Sequence, residues 1–219
     1  MHRRCIRSRQ RGRTLPAASA IRPCAWQNAG VTKGPLSTPV FALGSAFTIS
    51  LVAAVSWLFQ APVLVPPLGA TALVCVLLPR ANASAPRNVI CSHVIACACG
   101  YFAQVVTGAI RMPSAFVGGF HPVHILSAAI AMGLTVALTE RLHVRHPPAG
   151  ATTIIFGLGV LQQPIAFVAV ACGAAITAYG AGLVQFVTGR PFPIWRPLDE
   201  VAARAARAAA GTEGASGPA

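Results

Sequence analysis

Carboxylates are almost missing from this chain. Its 219 residues hold four acidic side chains, and residues of both charge signs make up only 10 %. Soluble domains carry about 25 % charged residues, so this composition cannot solvate a globular surface. Of the four acids, Glu140 is the one inside the apolar body; Asp199, Glu200 and Glu213 sit near the end. An enzyme working through paired carboxylates is excluded on that count. The seven cysteines follow no disulfide or zinc spacing. Cys97 and Cys99 make only a C-x-C, and most cysteines lie in apolar runs, where cysteine packs as a small hydrophobe. No Walker motif is present, so ATP-driven work is not expected. What is there is hydrocarbon: 55 % of residues are apolar and the mean hydropathy is +0.65. The composition is that of an integral, multi-pass membrane protein, and neither enzyme activity nor a cofactor is expected of it.

The formal charge of +13 invites a nucleic-acid reading. No aromatic-interleaved basic domain exists to carry it, so no nucleic-acid partner is expected. Arg3, Arg4, Arg7, Arg9, Arg11, Arg13, Arg22 and Lys33 crowd the first 39 positions. The remaining basic residues fall mostly between apolar runs, as the positive-inside rule places them. Lipid headgroups are the expected partner of the basic head. Residues 1–39 read as a basic, disordered tail. A transit peptide or a start assigned too far upstream shares that composition. Ala- and Arg-heavy usage points to a bacterial inner membrane over an organelle envelope.

Six apolar segments follow, at 40–59, 66–78, 89–110, 123–139, 149–161 and 165–188. A bilayer core of roughly 30 Å needs about 20 helical residues, so the second and fifth are short. After 190 comes Pro191-Phe192-Pro193-Ile194-Trp195-Arg196-Pro197, a cluster suited to the headgroup layer. An Ala-rich stretch with Arg204 and Arg207 follows, and the segment 191–219 reads as interfacial and then disordered.

The chain also resembles itself. At an offset of 81, Pro66-Pro67-Leu68-Gly69-Ala70-Thr71 falls on Pro147-Pro148-Ala149-Gly150-Ala151-Thr152. The match runs on to Gln104 against Gln185 and Thr107-Gly108 against Thr188-Gly189, with 14 identities over positions 66–108. The expectation is an all-α membrane domain over 40–190, duplicated as halves 40–110 and 121–190. Each half holds a span, a short Pro-Pro-led helix and a second span. Arg80, Arg87, Arg141, Arg145, Arg190 and Arg196 lie in the loops assigned to the inner face, and only Arg111 in those assigned to the outer. That asymmetry favours six segments with both ends inside, and so an inverted repeat. If the short helices do not cross, four spans and a parallel repeat remain.

Inverted repeats with short or broken helices at matching positions are a recurring transporter plan. Pro suits the first helical turn, where its missing N–H costs nothing. The free N–H groups and positive dipole end of such a turn favour an anion. The candidate solute-binding residues are therefore Pro66, Pro67, Gly69, Ala70 and Thr71, with His146, Pro147, Pro148, Gly150, Ala151 and Thr152. The expected cradle is made by backbone N–H groups at 69–71 and 150–152, with Gly69 and Gly150 open to close approach. The bland alternative is tight helix packing through small residues.

The run from His146 to Thr152 resembles the signature of the HPP family of integral membrane proteins. Pro66–Thr71 and Pro86-Arg87-Asn88-Val89-Ile90 leading to His93 resemble that family too. The resemblance spans about 40–190. It implies a transmembrane domain usually described as four-helical and mostly without assigned activity, with plant relatives associated with nitrite transport at the plastid envelope. Val65 stands where the second copy has His146, so any role for that histidine belongs to one half.

Polar residues in lipid-facing sequence are functional candidates by default. His93 lies inside a span and can exchange a proton near neutral pH; His146 precedes a helix start. Gln104 and Gln185 are equivalent in the repeat and are expected to bond between helices, with pore lining the alternative. His121 with His124, and His143 with His146, have metal-like spacing but fall on opposite faces, so no metal site is expected. Glu140 should pair with Arg141. The reading is a permease or channel for a small anion, nitrite leading through the resemblance alone. The alternatives are a structural or regulatory oligomerising module, and a histidine-based membrane enzyme. A homo-oligomer fits either of the first two.

Overall fold

The computed structural model describes residues 37–202. The basic head up to residue 36 and the stretch with Arg204 and Arg207 lie outside the described residues. Within them the chain is helical and holds no strand. Its helices are α1 (Ser37–Phe59), α2 (Pro66–Leu77), α3 (Pro86–Thr107), α4 (Ala115–Gly118), α5 (Pro122–Arg141), α6 (Ala149–Gly157) and α7 (Ile165–Val187). Helix α1 begins at Ser37, three residues before the boundary expected at 40. Four helices, over Thr38–Phe59, Pro86–Thr107, Pro122–Arg141 and Ile165–Val187, are long and apolar enough to cross a membrane. The chain is an integral, multi-pass membrane protein.

Proline opens the helices. It occupies the first turn of α2, α3 and α5, where φ near −65° is already helical and no N–H is lost. Gly108 ends α3 with φ of 80°, the left-handed cap that glycine adopts without strain. In α6 the prolines stand one step earlier than expected. Pro147 and Pro148 form the turn that leads in, and the helix starts at Ala149.

Contacts fix which way each helix runs. Gly44 lies against Val184, and Gly180 against Thr48 and Leu51, so α1 and α7 are antiparallel. Gly173 lies against Leu68, and Gln185 reaches the Val76 carbonyl, so α2 runs parallel to α7. The Arg87 N–H meets the Trp195 carbonyl just beyond α7, and Tyr101 meets Phe167 at its start, so α3 opposes α7. His93 meets Thr152 and Gln104 meets Phe156, which makes α6 parallel to α3. Ala128 faces Gly157 and Thr135 faces Thr153, so α5 opposes α6.

Helices α1 and α3 therefore point the same way, and residues 60–85 must bring the chain back between them. Residues 60–65 turn back along the end of α1, where the Val63 and Leu64 N–H groups donate to the Ser56 hydroxyl at 3.2 Å, and the 12 residues of α2 then cover about 18 Å. Residues 142–164, with α6, do the same between α5 and α7. Helix pairing is reciprocal: α3 packs on α5 and α6, α7 packs on α1 and α2, and α3 meets α7 at the centre.

The close approaches are glycine-dependent, but not at the glycines expected. A Cβ on Gly69 would meet nothing within 4 Å, and one on Gly150 only the Met132 side chain at 3.6 Å. A Cβ on Gly100 would stand 2.4 Å from the Phe156 Cβ, and one on Gly157 2.9 Å from the Ala128 backbone. Those two glycines let α6 nest between α3 and α5. Gly100→Val is accordingly expected to lower stability by about 1–3 kcal/mol or more, and Gly69→Ala to leave it unchanged, in thermal unfolding followed in detergent. Equal midpoints for the two variants would contradict this packing.

Candidate functional site

The two Pro-Pro-x-Gly-Ala-Thr segments bring their threonines to one imidazole. Thr152 on α6 lies 2.8 Å from Nδ1 of His93, and Thr71 on α2 lies 3.0 Å from its Nε2. Thr71 also lies 3.0 Å from Nε2 of His146, whose Nδ1 donates to the Ala83 carbonyl at 2.7 Å. The two imidazole centroids are 5.3 Å apart. Every member is buried, His93 and Thr71 at 0 % exposure and His146 at 4 %. An unpaired polar group here would cost several kcal/mol, and each of these atoms has a partner. The neighbouring Ser92 hydroxyl donates to the Val144 carbonyl, which ties the approach to His146 onto α3.

Farther along, the two glutamines do matching work. Gln104 donates to the Phe156 carbonyl of α6 at 2.6 Å. Gln185 donates to the Val76 carbonyl of α2 at 2.8 Å. Each thus satisfies a carbonyl at the C-terminal end of the other half's short helix, carbonyls that a helix leaves without intrahelical partners.

Two clefts open at opposite ends of this line. One of about 410 Å³ is lined by Asn82, Arg87, Asn88, His143, Arg145, Pro197 and Glu200. Arg87 pairs there with Glu200 at 3.3 Å, and Arg196 with the same carboxylate at 2.8 Å. His143 stands at its wall with φ of 54°, a conformation uncommon outside glycine. The other cleft, about 300 Å³, is lined by Pro62, by the segment Gly159–Gln163, and by Ile165 and Ala166. Between the clefts, fully buried Phe156 lies against Gly100. Buried side-chain atoms without a partner are Asn88 Oδ1, at the first cleft, and Gln104 Oε1, His124 Nε2, Ser127 Oγ and Gln185 Oε1. Ser127 precedes Ala128, which touches Gly157, so α5 and α3 flank the end of α6 with polar groups.

The structure thus draws together part of the sequence-derived set. Thr71, His93, His146 and Thr152 converge, with Pro67 and Pro148 buried beside them. Pro66 and Ala70, and equally Pro147 and Ala151, are exposed, while Gly69 and Gly150 are half-buried. The burial pattern is the same in both motifs. The expected cradle of free backbone donors is corrected at Gly150 and Ala151. The N–H groups of Ala149, Gly150 and Ala151 already donate to His146, Pro147 and Pro148, and Leu68 donates to Val65. With two prolines contributing no N–H to the start of α2, the threonine hydroxyls carry the polar chemistry. Glu140 pairs with Arg145, not Arg141. His121 and His124 stay together at the start of α5, the His121 N–H donating to His124 Nδ1 at 3.3 Å. Asn88, Ser127 and Arg145 were missed because each is one polar residue among many loop and helix-end positions, with no spacing to mark it.

A family profile described as "HPP, transmembrane region" matches residues 32–193. A transmembrane protein of Dictyostelium discoideum is 28 % identical over 141 residues, covering 62 % of this chain and 46 % of that protein. The chain thus spans about half the length of the curated relative it matches. No solved structure matches it.

Thr152→Val would strand the buried Nδ1 of His93, and leaving such a group unsatisfied costs about 1–3 kcal/mol. A lowered thermal midpoint in detergent, restored by Thr152→Ser, is the expected result. A midpoint unmoved by valine would contradict the bond.

Proposed function

We propose that this chain, which belongs to the HPP transmembrane-region family, is a permease for a small anion. The observation that carries the reading is the convergence of Thr71 and Thr152, one from each short helix, on the buried ring of His93. Four further features support it. Corresponding helices of the two halves run in opposite senses, which favours six crossings and an inverted repeat. The reciprocal bonds of Gln104 and Gln185 obey the same two-fold relation. Clefts approach the cluster from opposite ends, closed from each other at Phe156. Buried polar atoms are left without a partner, and a passing polar solute would supply one. Such a site, near mid-depth between inverted halves, is where transporters of this plan hold solute.

The anionic preference rests on the basic cleft, where Arg87 and Arg145 stand at the mouth and Arg87 is already engaged by a carboxylate. Glu200 occupies the place that a soluble anion would take on entry. Nitrite is the leading solute through the family resemblance, and a bacterial inner membrane the leading location through residue usage. The chain would then work by a gradient, with the bilayer and the solute as its partners and no cofactor.

A second reading has its own support. The cluster is sealed and bonded within itself, while Gly69, Ala70, Gly150 and Ala151 turn small faces outward. A structural module that oligomerises through those faces would look the same.

Purified protein in liposomes separates the readings. Under the permease reading nitrite uptake exceeds that of empty vesicles, and Thr152→Val and Arg87→Gln each reduce it about tenfold, a change of about 1.4 kcal/mol. Gly150→Leu then leaves uptake intact. Absence of uptake for nitrite, nitrate and formate, with loss of the oligomer in Gly150→Leu by light scattering, would replace it with the structural module.

A further inference from the structure

The bonds around Thr71 have a direction. Ala83 offers a carbonyl, which only accepts, so a neutral His146 keeps its proton on Nδ1 and leaves Nε2 bare. Bare Nε2 accepts the Thr71 hydroxyl at 3.0 Å. The Thr71 oxygen then accepts Nε2–H of His93 at 3.0 Å. His93, protonated on Nε2, has a bare Nδ1 that accepts the Thr152 hydroxyl at 2.8 Å. Four donations thus point one way, from Thr152 through His93, Thr71 and His146 to Ala83. The two histidines hold opposite tautomers, and one hydroxyl joins them.

We infer that His93, Thr71 and His146 form a one-proton relay, which takes a proton on the Thr152 side of the core and delivers it beside the basic cleft, coupling solute movement to a proton. The coupling half of this inference rests on the permease reading; the relay does not. The step balances. A proton from the solution beyond Gln104 bonds the Thr152 oxygen as the original Thr152 O–H breaks and its proton bonds Nδ1 of His93. The Nε2–H bond of His93 breaks as its proton passes to Thr71, and the original Thr71 O–H breaks as its proton bonds Nε2 of His146. His93 is left neutral with its proton on Nδ1, Thr71 is again a hydroxyl, and His146 is an imidazolium. One proton enters and one positive charge appears at His146. Release breaks the Nδ1–H bond of His146 and passes that proton to water in the cleft, whose wall includes Asn82 and Arg145, the chain neighbours of Ala83 and His146; His146 is left neutral with its proton on Nε2. The Pro67 carbonyl, 3.1 Å from the Thr71 oxygen, accepts the hydroxyl while it turns back.

The surroundings hold the relay to one proton. Two charged rings 5.3 Å apart would repel strongly in a low-dielectric core. The carboxylates at the cleft are already committed, Glu140 to Arg145 and Glu200 to Arg87 and Arg196. The other titratable or charged groups on the packed elements include the thiols of Cys75, Cys97 and Cys99, the imidazole of His143 and the guanidinium of Arg87, with Cys91, Tyr101, His124, Arg141, Cys172 and Tyr179 farther along the same helices. Of these the first three thiols lie in buried helix interiors, and no carboxylate among the described residues touches either ring.

Nitrogen-15 NMR of histidine-labelled protein in nanodiscs tests the relay without any solute, His93→Gln and His146→Gln assigning the signals. At high pH His93 should carry its proton on Nε2 and His146 on Nδ1. On acidification His146 should become charged in the same step in which His93 exchanges Nε2–H for Nδ1–H. Thr71→Val should separate the two events, and Thr71→Ser should keep them joined. A His93 that retains its tautomer while His146 titrates, or a Thr71→Val protein that behaves as the wild type, overturns the relay. In liposomes an acid-outside gradient should raise nitrite accumulation at least tenfold over the no-gradient value in the wild type, a ratio that should fall to one in Thr71→Val whatever nitrite counterflow that variant retains. Accumulation blind to the gradient overturns the coupling. Absence of counterflow in the wild type would count against the permease reading, with the relay still decided by the tautomer exchange.

Discussion

A buried imidazole in a membrane protein is stabilised when both ring nitrogens are bonded, and His93 achieves this with one threonine from each short helix. The rest of the structure is arranged around it. Helices α2 and α6 must be short enough to end inside the bundle and must pass close to α3. Gly100 and Gly157 permit that approach for α6, and Gly173 permits it for α2 against α7. The glutamines then take up the carbonyls that the short helices leave at their far ends. Fixing the short helices at both ends, by threonine at the start and glutamine at the finish, lets irregular backbone exist at this depth without orphaned groups.

Much of this was legible in the residues. Apolar runs and prolines located every long helix to within a few positions, because hydrophobic length and proline geometry are local properties. The repeated motif pointed to Thr71 and Thr152 for the same reason: two copies at one offset can be seen without a fold. Other parts were not legible. Which way a motif residue faces depends on helix phase against neighbours, and so Pro66, Gly69, Ala70 and their counterparts in the second half proved to look outward. Free N–H donors are not found at Gly150 and Ala151 because the carbonyls of Pro147 and Pro148 turn back onto them. Gly100 mattered more than either motif glycine, and only the approach of Phe156 reveals it.

The functional account follows from where polarity sits. In lipid, polar side chains are retained where they pair or where something polar passes. The His-Thr cluster pairs fully, so by itself it is a keystone. Asn88, Gln104, His124, Ser127 and Gln185 each keep one buried atom without a partner, and the permease proposal draws on these.

The central claim is that the clefts beside Asn82 and Gln162 open on opposite sides of the membrane, with the His93 cluster between them. Single cysteines placed at 82, 152 and 162 in a background without the native cysteines, and treated with a membrane-impermeant thiol reagent on right-side-out and inverted vesicles, measure it directly. The account predicts labelling of 82 and 162 from opposite sides, and of 152 only weakly and only when solute drives the carrier. Labelling of 82 and 162 from the same side would contradict it.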